Sequence, residues 1–205
     1  MADCCSSDCS LDVSNRSQRK TLYIVLGINA LMFVIVIAAA IRSRSSALMA
    51  DSLDNLGDAV TYGLSLYAVS RGAIYKAKVA IFKGGLILVA AITVAGQIGY
   101  RIFVPGVPTY EIMGTFSILG LAANSVCLLL LWRHRHEDVN MSSVWECSRN
   151  DIASNISVFV AAGAIWLTGS GWPDLIVATV LVLLLTWSAI RVISSGLEQQ
   201  RLVSV

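Results

Sequence analysis

Charge is scarce in this sequence. Only 14% of its 205 residues are Asp, Glu, Lys or Arg, against roughly 25% in soluble domains. Apolar residues make up 56% of the chain, and the mean hydropathy is +0.72. They fall in runs about as long as a bilayer is thick, where a spanning helix needs ~20 residues. An ordinary soluble domain is thereby excluded. A net charge of +2, with no basic cluster interleaved with aromatics, excludes nucleic-acid binding. No GxxxxGK[ST] loop is present to cradle a nucleotide. No HExxH pair is present either, and His134 and His136 both fall in WRHRHEDVN (132–140), which reads as a loop. The chain opens on MADCCSSDCSLDVSNRSQRK, polar for 20 residues and unlike a signal peptide. The first membrane helix is therefore expected to act as the targeting signal. The five cysteines do not form the paired framework of a secreted domain. Cys4, Cys5 and Cys9 sit with Asp3 and Asp8 in a tail whose spacing matches no closed zinc motif. About ten residues follow Ser195, and no soluble domain is expected there.

What remains reads as an all-α membrane protein, a bundle of six transmembrane helices. The spans are expected at about Thr21–Ile41, Ala47–Arg71, Val79–Tyr100, Ile112–Trp132, Ser143–Thr168 and Pro173–Ile193. This gives a tail over 1–20, a membrane domain over 21–195 and a short tail over 196–205. Pro105 and Pro108 mark one turn, and GSGWP (169–173) marks another. Ten basic residues (Arg16, Arg19, Lys20, Arg71, Lys76, Lys78, Arg133, Arg135, Arg191 and Arg201) fall at one set of span ends. Arg42, Arg44 and Arg101 fall at the other. Positive charge favours the cytoplasm, so both termini are expected there, as an even number of spans requires. The chain is expected in the cell (inner) membrane.

The few charges inside the spans carry the functional signal. In the second span, Asp51, Asp54 and Asp58 lie three, four and seven residues apart, which puts all three on one helical face. Each charge at mid-bilayer costs at least ~2.5–3.5 kcal/mol, so a lipid-facing stripe of three is untenable. Pairing with Lys83 or Arg149 is one explanation, and a shared bound cation is the preferred one. In the fifth span, Cys147, Asp151 and Asn155 recur every four residues on one face. Thiolate, carboxylate and amide oxygen are all competent metal ligands, and thiolate favours softer ions such as zinc. Ligand and packing readings of Cys147 stand equally open. Asp58 lies about 12 residues into its helix and Asp151 about 8 into an opposed one, or ~18 Å and ~12 Å at 1.5 Å per residue. Within a core of ~30 Å these depths coincide, and one turn outward Asp54 is expected to face Asn155. Asp174 reads as a first-turn carboxylate suited to the dipole of its own helix, and Asn124 as interhelical glue.

These residues resemble the cation diffusion facilitator family. Ala50-Asp51-Ser52 followed by Asp54 and Asp58 is similar to the family's second-helix motif. Asp151 matches the second position of the fifth-helix motif, with Cys147 where His or Asp is usual. Trp172-Pro173-Asp174 also resembles the family's entry to its sixth helix. The resemblance covers about residues 18–198 and implies divalent-metal efflux through a site between the second and fifth helices. The expected metal ligands are Asp54, Asp58 and Asp151, with Cys147, Asn155 or Asp51 completing the shell. It also implies a homodimer. No counterpart of the family's usual cytoplasmic ferredoxin-like domain is expected here.

The expectation is a non-enzymatic exporter of divalent cations, zinc first, driven by proton antiport. Cadmium, cobalt, iron and manganese are alternatives. Its partners would be metal ions, protons, the lipid bilayer and a second copy of itself, with no resident cofactor and no nucleic acid. The rivals are a small multidrug or organic-cation exporter, an intramembrane metalloenzyme and a non-transporting accessory subunit.

Overall fold

A computed structural model describes residues 16–68, 73–132 and 139–203. Cys4, Cys5, Cys9, His134 and His136 lie outside the described residues. Six helices follow one another: α1 (Arg16–Ser43), α2 (Ser46–Ala68), α3 (Ala73–Phe103), α4 (Tyr110–Trp132), α5 (Val139–Thr168) and α6 (Trp172–Val203). No strand occurs among the described residues. All but α2 are long and apolar enough to cross a membrane. α2 is long enough at 23 residues, but it carries Asp51, Asp54 and Asp58. The all-α, six-helix membrane fold read from the sequence is therefore observed.

The helix ends follow local chemistry. The prolines at 105 and 108 fall in the link between α3 and α4, and GSG (169–171) forms the link between α5 and α6. Between α1 and α2 the chain reverses through two residues, with Arg44 in the left-handed conformation (φ 57°). Helices α1, α5 and α6 extend past their apolar runs by several residues at the end of the bundle that carries the termini.

The helices pack chiefly as three pairs: α1 along α2, α3 along α6, and α4 along α5. Small residues permit the close approaches that drive association where lipid removes the hydrophobic incentive. A side chain at Gly84 of α3 would run into Ile193 and the carbonyl of Ala189 on α6. The outward faces are apolar, with Leu31, Phe82, Val89, Leu129 and Leu183 all exposed, as lipid contact requires. Inside, one apolar cluster draws on all six helices. A second, of Leu22, Val25, Tyr62, Leu66, Cys127 and Leu131, lies toward the terminal end.

At the opposite end the loops interlock. The Thr109 N–H donates to the Ser43 carbonyl at 3.0 Å. Asp174, 1% exposed, does not serve its own helix alone. Its carboxylate reaches across to the start of α2 and accepts from Ser45 Oγ at 2.6 Å, the Ser46 N–H at 2.8 Å and the Ala47 N–H at 3.0 Å. Ser45 Oγ accepts in turn from the Leu48 N–H at 3.0 Å. The first turn of α2, whose amides have no intrahelical partners, is capped by its own serine and by a carboxylate 129 residues away.

Candidate metal centre

α2 is thus anchored at one end and presents its aspartates to the middle of the bundle. There, α2, α5 and α6 part around a cavity of about 300 Å³. Asp51, Asp54 and Asp58 line it from α2, Asp151 from α5, and Leu181, Leu185, Trp187, Ser188 and Arg191 from α6. Asn150, Ser154 and Ser157 add neutral polar groups from α5. The i, i+3, i+4 and i+7 spacing in α2 does what helical geometry demands: all three carboxylates meet one space.

The carboxylates are close enough to act on each other. Asp58, Asp54 and Asp51 all lie within electrostatic range of Asp151. Tyr62, one turn beyond Asp58, donates its hydroxyl to Asp58 Oδ2 at 2.9 Å and fixes that carboxyl from a buried position. Asp51 is 3% exposed and Asp151 9%. Each leaves one buried oxygen, Oδ2, with no hydrogen-bond partner. Buried acceptors of this kind are costly, and a bound cation would satisfy them. Among the described residues, no three His, Cys, Asp or Glu side chains are gathered tightly enough to hold a metal as they stand. The acids line a cavity and do not close a coordination shell.

The family model for the cation efflux transmembrane domain matches residues 22–199. The chain belongs to the cation efflux family. No curated protein matches it. Membership in this family of membrane transporters makes the protein a multi-pass cation transporter, and it accords with the facilitator resemblance read from ADSLDNLGD and WPD.

For a cation efflux protein, the sequence-derived ligands divide three ways. Asp51, Asp54, Asp58 and Asp151 share the cavity. Cys147 lies on α5, one turn before Asp151, but its side chain is outside the described residues. Asn155 is placed elsewhere. It is fully buried, its Nδ2 donates back to the Asp151 carbonyl at 2.8 Å, and its Oδ1 abuts Gly120 of α4. Four residues of helix advance about 400°, leaving Asn155 rotated by about 40° from Asp151. On α5, wedged between the cavity and α4, that rotation moves a side chain from one neighbour to the other. Asp54 lines the cavity and Asn155 is not among the described residues that line it. Lys83, buried on α3, and Arg149, exposed on α5, are not among the described residues that line the cavity.

α6 was the missed wall. Arg191 had been counted among the charges at the membrane face, yet it lines the acid cavity with its guanidinium 4.7 Å from the Trp187 ring centroid. The signal was present as an arginine one turn after a tryptophan in an otherwise apolar helix. Nothing local, however, told an interfacial anchor from a cavity residue.

Proposed function

We propose that this cation efflux protein exports divalent metal ions, zinc first, in exchange for protons, with Asp54, Asp58 and Asp151 as the principal ligands and Asp51 beside them. The observation that carries this reading is the convergence of four aspartates from two helices on one cavity. Metal and protons compete for the same oxygens, because a carboxylate coordinates only when deprotonated. A metal entering from the cytoplasm would draw the carboxylates together and displace the protons bound to them. Protons arriving from the far side would release it. Cytoplasmic termini, an inner-membrane location and a homodimer complete the proposal. The charge count at the span ends supports the first, and family resemblance supports the last.

An uptake series in liposomes, run with zinc, cadmium, cobalt, manganese and tetraphenylphosphonium, tests this reading. Zinc and the other divalent ions should accumulate and the organic cation should not. Uptake of tetraphenylphosphonium alone would replace the metal reading with the multidrug one. The same series on Cys147→Ala assigns the thiol. A loss confined to zinc and cadmium places sulfur in the shell, because sulfur prefers softer ions. An unchanged series leaves coordination to the carboxylates.

A further inference from the structure

Among the described residues, the cavity holds one cation of the protein's own. Among the residues that line it, four are aspartates and a single one, Arg191, carries positive charge. Its positive charge lines the same cavity as the four carboxylates. It is also held in place. The guanidinium lies over Trp187, four residues earlier on the same face of α6, in the geometry of a cation–π contact. Arg191 comes from the third wall, on neither of the helices that supply the acids.

We propose that Arg191 is a tethered counter-cation that competes with the transported metal for the carboxylates and thereby sets the affinity of the site. The inference rests on the acid cavity being the cargo site. Four ionised carboxylates carry −4, Arg191 contributes +1 and a divalent metal +2. The loaded cavity is then within one charge of neutral, as a group of charges removed from water must nearly be. With the metal gone, Arg191 still offsets part of the repulsion among the acids, so the empty cavity is less costly to maintain. The same charge repels incoming metal and weakens its binding. An exporter needs this, because a site that binds too tightly does not release.

Zinc titration calorimetry on the purified full-length protein in detergent tests this, with zinc chloride alone as the probe. Arg191→Gln should lower the zinc Kd by about tenfold or more, the effect of removing one like charge from a partly desolvated site. Arg191→Lys, which keeps the charge, should stay within about threefold of wild type on the same scale. Turnover in liposomes should fall in Arg191→Gln as binding tightens, a pairing that a merely structural defect does not produce. Unchanged or weaker zinc binding in Arg191→Gln overturns the proposal, and so does a tightening in Arg191→Lys that equals it. If Arg191→Gln does not fold, Arg191→Met, which suits an apolar helix, must show the same tightening or the proposal fails. Asp58→Asn separates this inference from the one beneath it. Zinc binding that survives Asp58→Asn unchanged removes the acid cavity as the cargo site, whereas binding lost there with Arg191→Gln unaffected removes only the role of Arg191.

Discussion

Asp54→Asn, Asp58→Asn and Asp151→Asn should each reduce zinc uptake into inside-out vesicles to background. Asparagine keeps the shape of the side chain and one oxygen but loses the negative charge, so each substitution removes an anionic ligand with little change in packing. Losing an outer-shell partner of a metal ligand typically costs 10–100-fold, and loss of the ligand itself should exceed about 100-fold on that scale. Stability should move the opposite way. A charge inside the bilayer costs at least ~2.5–3.5 kcal/mol, and these acids crowd one cavity, so neutralising one relieves both desolvation and repulsion. Unchanged or raised thermal stability in detergent, together with abolished uptake, is the expected signature. Normal transport by any two of the three variants sinks the proposed site.

Asp174→Ala should produce the reverse pattern, a loss of stability that takes transport with it. The variant deletes the acceptor of three hydrogen bonds at the buried start of α2, leaving two backbone amides of the first helical turn unsatisfied. Loss of a cap costs about 0.5–2 kcal/mol, and hydrogen bonds to a charged group about 1.5–3 kcal/mol, so a destabilisation of roughly 2–4 kcal/mol is expected. Arg101 of α3 lies within electrostatic range of the same carboxylate, and its removal should be felt at Arg101 too. α2 carries three of the four cavity aspartates, so a loosened α2 displaces the site although residue 174 touches none of it. Asp174→Asn retains one acceptor and should recover part of the loss. Thermal unfolding in detergent checks the order, with wild type above Asp174→Asn and Asp174→Ala lowest. An Asp174→Ala protein as stable as wild type would show that the clasp contributes nothing.

The contrast between these two sites of aspartate substitution shows what the sequence could and could not carry. Asp51, Asp54 and Asp58 lie within one helix, and the period of that helix decides their common face without help from any neighbour. Their meeting with Asp151 was legible because depth in a bilayer is counted along the chain at a fixed rise. Rotation about a helix axis is not counted that way. Asn155 shares a stripe with Asp151 on paper, yet the packing of α4 against α5 at Gly120 takes its side chain out of the cavity. Asp174 looked sufficient as the first-turn acid of its own helix, and only the fold brings it to Ser45, Ser46 and Ala47. The cavity-lining position of Arg191 was hidden for the same reason. An arginine near the end of a span is ordinarily a membrane-face anchor, and the parting of α2, α5 and α6 that admits it to the acid cavity is a property of three helices at once. Local periodicity thus specified the six helices and the acidic stripe, while the partners of each charge were decided by tertiary packing.

The most direct measurement places the purified protein in liposomes carrying a zinc dye and a pH dye together, and follows both signals after zinc is added outside. Zinc should enter as protons leave, and both signals should vanish in Asp58→Asn, because the carboxyl that lines the cavity with Asp151 would serve metal and proton alike. Zinc entry with a silent pH dye, or two undiminished signals in Asp58→Asn, would contradict an exchange carried by these carboxylates.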